Sequence, residues 1–173
     1  LKAQNTAPKV TVKNVKGAAV TIIDSQYHFP YDISDNKQHV AIQAFGESQS
    51  FYWSESTGLI EIVGTVFAVS DDGIVAGYYP NEQGVSVAGL WYPDMQQWQF
   101  LGMNPDYPEF FVDNPDYNGA WAMSNDGFHV GVMQFAADWS TTTYIWSPNE
   151  GYTQLPNGSN TQTRPNGMSA DGS

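Results

Sequence analysis

Cysteine, basic side chains and long apolar runs are scarce or missing in this sequence of 173 residues. The absence of cysteine excludes disulfide bonds and thiolate metal sites, so cysteine usage does not indicate a compartment. Six Lys and Arg residues stand against 18 Asp and Glu residues, and the net charge of −12 disfavours nucleic acid and anionic lipid as partners. No apolar run approaches the roughly 20 residues of a membrane-spanning helix. We therefore expect neither a nucleic-acid partner nor a membrane span.

The abundant residues indicate a folded β protein. Hydrophobic residues make up 41% of the chain and aromatic residues 14%, which is ample for the core of one domain. The 16 glycines and 10 prolines interrupt most stretches that could form a helix, and no window has a convincing apolar helix pattern. The composition therefore favours an all-β chain.

A short phrase of the type Ser-x-Asp-Gly occurs four times, with variation. In the first three copies a small residue follows seven places after the serine, and a tryptophan comes further along. The serines are Ser34, Ser70, Ser124 and Ser169, the small residues are Ala41, Gly77 and Gly131, and the tryptophans are Trp53, Trp91 and Trp146. We expect the serines to form turns, the small residues to permit close approach from a neighbouring sheet, and the tryptophans to pack between repeats.

The spacing separates a fixed interior from variable joints. From each of the first three serines to a closing Gly or Asn, the units run over residues 34–64, 70–102 and 124–157. These lengths are nearly equal, whereas the gaps to the next serine are 6, 22 and 12 residues. Insertions are thus tolerated between units and not within them, which is typical of a repeat architecture.

Each unit contains four short β-prone runs separated by turn residues. Four-stranded antiparallel sheets that repeat in this way predict a β-propeller-like fold with about three blades and the start of a fourth. We expect an N-terminal strand segment over residues 1–28 and a repeat domain over 29–173. The predicted blades span about 29–64, 65–102 and 119–157, with a partial unit at 164–173. A β-sandwich is the alternative fold.

The Ser-Asp-Gly, small-residue and tryptophan positions together resemble the extracellular HAF-repeat family, named for a His-Ala-Phe-x-Trp stretch. The corresponding stretches here are 49–53, 87–91 and 142–146, which lack the His and keep the Phe once. The resemblance covers about residues 29–172. It implies a secreted, periplasmic or cell-surface repeat protein and brings no catalytic residues with it.

Both ends of the sequence carry an expectation about what lies beyond them. Leu1 is not a native start, which is compatible with a removed export signal, and Ser173 follows the fourth turn directly. We expect a fragment of a longer propeller, or a propeller whose remaining blades come from a partner chain. The runs at 10–12 and 18–23 either complete the last blade or only stack on the first.

No catalytic constellation stands out from the repeats. His28, His39 and His129 have no metal-ligand spacing, and we expect His39 and His129 to lie at the surface or in the packing. A catalytic group occurs once per site, whereas the Ser and Asp residues recur once per repeat. Their expected role is to form turns and bond backbone groups. We therefore predict no catalytic residue and no cofactor.

The longest joint, residues 103–119, breaks the repeat pattern and mixes carboxylates with aromatic rings. Such a mixture suits either calcium, held by oxygen ligands, or a sugar, held by stacking and hydrogen bonds. A plain structural loop is the third alternative. The candidate ligand-binding residues are Asp106, Tyr107, Phe110, Asp113, Asp116 and Tyr117, of which Asp106, Asp113 and Asp116 are weak candidates for a metal.

Two functions remain open from the sequence. The first is a non-catalytic extracellular or envelope module that binds a protein or glycan, because repeats form a scaffold and the variable joint can carry a ligand site. The second is a propeller-type carbohydrate-active enzyme, a hydrolase or lyase, with carboxylates at the axis and part of its catalytic set in other blades.

Overall fold

The computed structural model describes residues 7–15, 18–24, 28–44, 49–106, 118–136, 140–156 and 163–172. Within these ranges the chain contains fourteen strands and no helix. The strands are β1 (Lys9–Val15), β2 (Ala18–Asp24), β3 (His28–Ile33), β4 (His39–Ala44), β5 (Gln49–Ser54), β6 (Gly58–Val63), β7 (Thr65–Val69), β8 (Val75–Pro80), β9 (Ser86–Tyr92), β10 (Gln97–Phe100), β11 (Gly119–Met123), β12 (Val130–Phe135), β13 (Thr141–Ser147) and β14 (Gly151–Gln154).

The strands form three four-stranded antiparallel sheets and a separate hairpin. The first sheet contains β3 to β6, the second β7 to β10 and the third β11 to β14, each in sequence order, while β1 pairs with β2. The all-β class and the four-stranded antiparallel sheets predicted from the sequence are confirmed. Three separate sheets differ from the two continuous sheets of a sandwich.

Segment 163–172 corresponds to the predicted fourth unit, and it has a turn at 170–171 but no strand. A strand needs a neighbouring strand to complete its ladder of backbone hydrogen bonds. The described residues contain no such neighbour for this segment, so it keeps the turn of the repeat without its sheet.

The three sheets pack face to face in chain order. Strand β7 of the second sheet lies against β3, β4 and β5 of the first, and β11 of the third lies against β7, β8 and β9 of the second. Ala41 and Tyr52 of the first sheet pack with Trp91 of the second. Leu90 of the second sheet packs with Trp146 of the third. The apolar core therefore consists of two layers, one between each pair of neighbouring sheets.

A third apolar layer covers the far face of the first sheet. Val40, Ile42, Phe51 and Trp53 form this layer, and Val10 of β1 packs against it. Each of the three repeated tryptophans thus faces the element that precedes its own sheet. This element is the β1–β2 hairpin for Trp53, the first sheet for Trp91 and the second sheet for Trp146. The same sequence position is buried in the same direction three times, which gives the stack its regular order.

Candidate functional site

The repeated turns are held together by their own Ser and Asp side chains. Ser124, only 1% exposed, donates its hydroxyl to Asp126 Oδ1 at 2.6 Å and accepts the backbone N–H of His129 at 2.9 Å. Asp126 Oδ1 also accepts the backbone N–H of Phe128 at 2.9 Å. The Ser124 hydroxyl holds the pKa of Asp126 below its usual value. The two side chains that most resemble a nucleophile and an acid are therefore bonded into the turn.

The first and fourth turns use the same device. Ser34 donates to Asn36 Oδ1 at 2.8 Å, and Ser169 donates to Asp171 Oδ1 at 2.9 Å. In the second turn Ser70 instead accepts the backbone N–H of Ile74 at 3.1 Å. The hydroxyls thus bond within the turn in all four copies.

Successive turns are linked to one another at one edge of the stacked sheets. The N–H of Asp71 donates to the carbonyl of Asn125 at 2.7 Å, and the N–H of Asn125 donates to the carbonyl of Ala170 at 3.0 Å. Asn36 bonds Asp71 twice, through N–H to Oδ1 at 2.8 Å and through Nδ2 to the carbonyl at 2.7 Å. A further bond joins the first and third turns, from Asn125 Nδ2 to Asp35 Oδ2 at 2.5 Å. The turns of all four repeats therefore meet.

Two histidines pack beneath the glycine of a later turn. A Cβ on Gly73 would lie 2.8 Å from His39 Nδ1, and one on Gly172 would lie 2.5 Å from His129 Nδ1. His39 Nδ1 also lies 2.6 Å from Tyr52 Oη. His129 Nδ1 is buried and has no hydrogen-bond partner among the described residues. These histidines fill the contact between repeats and are not placed as a pair of metal ligands.

The close approach predicted at the small residues has two different sources. At Gly77 an added Cβ would clash with the backbone carbonyl of Thr65, which belongs to the same sheet. At Gly131 it would lie 2.9 Å from Cβ of Pro165, in the segment that follows the third sheet. The nearest contact is therefore within the same sheet at Gly77 and with a segment that has no strand at Gly131, and neither is the predicted approach from a neighbouring sheet.

The first strand of each sheet has an irregular register at the same repeat position. The pairing shifts between residues 30 and 32, between 66 and 68, and between 120 and 122. The residue inside each shift is aromatic: Tyr31, Phe67 or Trp121, three places before the serine of the turn. A bulge changes the direction of the side chain that it contains. The repeat therefore places three rings outside the regular ladder.

These three rings form a row across the sheets. The centroids of Tyr31 and Phe67 lie 5.4 Å apart at an angle of 78°, and those of Phe67 and Trp121 lie 3.9 Å apart at 18°. The guanidinium carbon of Arg164 lies 4.8 Å from the Trp121 centroid, within the range of a cation–π contact. Tyr31, 40% exposed, is the accessible end of the row, whereas Phe67 is 7% exposed.

The row borders a cavity of about 250 Å³, which we call the inner-strand cleft. Its wall consists of residues from the first strand of each sheet, from the turns of the first and third sheets, and from the segment after the third sheet. The lining residues are Tyr31, Asp32, Ile33, Asp35, Phe67, Ala68, Val69, Trp121, Ala122, Met123, Asn125, Pro165, Asn166, Gly167 and Met168. All four repeats therefore contribute to one cavity.

The charged groups of the inner-strand cleft are carboxylates. Asp32 Oδ2 accepts the backbone N–H of Val69 at 2.8 Å, and Asp35 is bonded by Asn125 as described above. Burial raises the pKa of Asp32, the Val69 N–H lowers it in part, and the nearby Asp35 charge raises it further. No lysine, arginine or histidine is present among the cleft-lining residues that the structure describes. The cleft therefore combines aromatic rings with negative charge.

The acidic joint that the sequence singled out is described only at its start. Asp106 is exposed, and its Oδ2 accepts the hydroxyl of Tyr144 at 3.0 Å. Tyr107, Phe110, Asp113, Asp116 and Tyr117 lie outside the described residues, so the ligand and calcium hypotheses for this joint stay predictions. In the described ranges, no three His, Cys, Asp or Glu residues are grouped as metal ligands would be.

Sequence reasoning missed the inner-strand cleft. The available signal was the aromatic residue three places before each of the first three serines. This position alone does not show which way the ring points, because the direction depends on the register shift, which is a feature of the strand pairing.

Comparisons of this chain with protein-family models, curated proteins and solved structures gave no match. Among the residues described, no helix has the length and apolar character needed to cross a membrane.

Proposed function

We propose that this chain is a non-catalytic binding module built from β-propeller-like repeats of the HAF type, secreted or associated with the cell envelope, with a glycan or protein as ligand. The observation that carries the proposal is the inner-strand cleft, in which equivalent segments of four repeats surround one cavity with aromatic rings and carboxylates. Ligand sites are concave, and aromatic side chains together with convergent polar groups belong to their usual lining.

The propeller-like arrangement is supported by the bond between the first and third turns. Stacked sheets lie about 10 Å apart, so parallel stacking would separate the first and third sheets by about 20 Å. Asp35 and Asn125 instead approach to 2.5 Å at the turn edge. This short distance supports sheets that converge at the turn edge and spread apart at the opposite one, as blades around an axis do.

The same arrangement suggests how the hairpin and segment 163–172 are related. In the second and third sheets, one face contacts the preceding sheet. The corresponding face of the first sheet is covered from the side of the β1–β2 hairpin. Segment 163–172 packs on the third sheet through Pro165 and shares the cleft with residues 31–35. We infer that both belong to one fourth unit of the ring, with further strands supplied by the same longer chain or by a partner chain.

The non-catalytic role is supported by the bonding of the repeated Ser and Asp side chains. Ser124 and Asp126 bond each other and the turn backbone, and this is repeated at Ser169 and Asp171. Groups that hold a turn in this way are not poised to transfer protons to a substrate.

A carbohydrate-active enzyme is the second candidate because Asp32 and Asp35 both line the cleft. Glycoside hydrolysis uses a pair of carboxylates, one of which has a raised pKa and acts as the acid. The enzyme hypothesis predicts that Asp32→Asn abolishes turnover of a bound glycan and leaves its binding intact. The binding-module proposal predicts that the wild-type protein binds the glycan and leaves it uncleaved.

A glycan array, probed with and without calcium, tests the proposed function, with peptide and protein arrays as its second arm. We expect reproducible binding to a small set of ligands, weakened by substitutions in the cleft. Failure of the folded protein to bind any ligand in both arms would contradict the proposal. Loss of binding on calcium removal would instead favour a role for the carboxylates of the acidic joint.

A further inference from the structure

The inner-strand cleft is lined by two carboxylates, and the guanidinium of Arg164 lies beside it on the Trp121 ring. Asp32 and Asp35 line it together with aromatic, apolar and amide side chains, and the chain as a whole carries a net charge of −12. A surface of one sign raises the local concentration of ligands of the opposite sign. A positively charged ligand is therefore favoured over a neutral one, and an anionic ligand is disfavoured.

The aromatic row gives the cleft a ring surface as well. Tyr31 is the accessible member of the row, since the faces of Phe67 and Trp121 stack on each other. The side of Trp121 that Arg164 approaches already holds a guanidinium group, which shows that the row accommodates a cation. Tyr31 is left as the ring on which a ligand would stack.

Burial in the cleft raises the pKa of Asp32. Its desolvation disfavours the carboxylate form, and backbone hydrogen bonds from Val69 and Ile33 offset only part of that effect. Asparagine would keep an oxygen acceptor for the same N–H groups without the charge. Asp32 nevertheless lines the cavity beside Tyr31, and clefts that contain carboxylates with a raised pKa are favoured places for binding sites.

The volume of the cleft limits what enters it. About 250 Å³ lies just below the roughly 300 to 1,000 Å³ of sites for drug-sized ligands, so one sugar ring is a suitable occupant and a whole oligosaccharide is not. The amide side chains of Asn125 and Asn166 stand in the same wall. Asn125 Nδ2 already donates to Asp35 and Asn166 Oδ1 already accepts from Arg164, so Asn125 Oδ1 and Asn166 Nδ2 are the groups for hydroxyls of a ligand.

We propose that the inner-strand cleft is a subsite for an amino sugar, with the pyranose ring on Tyr31 and its ammonium group paired with Asp32 and Asp35. This inference rests on the proposed function and adds a ligand class to it. Aromatic stacking and carboxylate pairing act on different parts of such a ligand, so the two contributions separate in an experiment.

Titration calorimetry of the whole chain with three probes tests the proposal: a glucosamine tetramer, its fully N-acetylated counterpart, and putrescine. We expect the glucosamine tetramer to bind at least about tenfold more tightly than the other two, because only it has both a ring and charge-assisted hydrogen bonds. Equal binding of the N-acetylated tetramer, or of putrescine, would overturn the proposal.

Two variants and one control assign the site. Asp32→Asn should weaken binding of the glucosamine tetramer by about tenfold or more and leave the N-acetylated tetramer unchanged. Tyr31→Ala should weaken both sugars. Glu82→Gln removes an exposed carboxylate in the turn between β8 and β9 and should change neither. Unchanged binding in Asp32→Asn would overturn the proposal even if Tyr31→Ala failed to fold.

The two proposals fail in different ways. If the arrays identify a ligand but no glucosamine oligomer binds, the amino-sugar inference is wrong and the binding module stands. If no ligand of any kind binds the folded protein, both are wrong.

Discussion

The first strands of the first and second sheets occupy the same place in the repeat but different environments. Every residue of β7 is buried, whereas β3 has exposed residues along most of its length. Strand β7 lies between β3 on one side and β11 on the other, and β3 contacts β7 on one side. Burial at this position therefore follows the number of neighbouring sheets, and the strand sequences agree with it, because β7 is almost entirely apolar whereas β3 contains His28, Pro30 and Asp32.

The largest expected loss of stability is at the aromatic row, and it tests the difference in burial between β3 and β7. Phe67→Ala should destabilise the protein by about 3 to 5 kcal/mol, because it leaves a cavity beneath the stacked ring of Trp121. Tyr31→Ala, at the equivalent position, should cost no more than about 1 kcal/mol, because its side chain already contacts solvent. Urea unfolding of both variants measures the difference, and equal losses would show that β3 is covered in solution as β7 is.

The next largest loss of stability is expected at two glycines in the second strands of their sheets, Gly77 and Gly131. Gly77→Leu and Gly131→Leu should each destabilise by about 1 to 3 kcal/mol or more through overpacking. The loss should be larger at Gly77, because it meets the backbone of Thr65 within its own sheet, whereas Gly131 meets the side chain of Pro165. Melting temperatures of the two variants check the order. Wild-type stability of Gly131→Leu would contradict the packing of segment 163–172 on the third sheet.

The turns provide a matched pair with effects of opposite sign. Gly127 has φ of 71°, and the equivalent residue of the first turn is Lys37 with φ of 63°. Gly127→Ala should destabilise and Lys37→Gly should stabilise by about 1 kcal/mol each, because a side chain is strained in this left-handed region. If Lys37→Gly lowered the melting temperature, the first turn would not share the geometry of the third.

The smallest effect concerns pH and Asp32. Its folded-state pKa is raised, so its contribution to stability is present below its usual value of 3.8 and is lost as pH rises through the folded-state pKa. Asp32→Asn should therefore melt at a higher temperature than wild type at pH 7, and the difference should vanish below pH 3.8. A lower melting temperature for the variant at pH 7 would show that the carboxylate stabilises β7 through Val69 by more than its burial costs.

Local sequence chemistry was sufficient to predict the sheets. The turns are encoded by Ser, Asp and Gly within a few residues. The structure has four strands in each sheet, and the three sheets begin at residues 28, 65 and 119. The spacing of the turn residues predicts the sheets because the bonds that hold each turn, such as Ser124 to Asp126, join neighbours in the sequence.

The inner-strand cleft could not be predicted in this way. It depends on register shifts at Tyr31, Phe67 and Trp121 and on a bond between Asp35 and Asn125, which are 90 residues apart. Such features arise from how the sheets pack and leave no pattern within one strand. The acidic joint drew attention instead because its composition is unusual, which is a property of sequence alone.

The central claim is that the three sheets converge around one axis, and a crosslink between the first and third turns tests it most directly. The chain has no cysteine, so Asp35→Cys with Asn125→Cys introduces the only two thiols. We expect a short dithiol-reactive crosslinker to join them within one chain in high yield under native conditions and in low yield in urea. Separate labelling of both thiols without an intramolecular crosslink in the folded protein would contradict the convergence of the sheets.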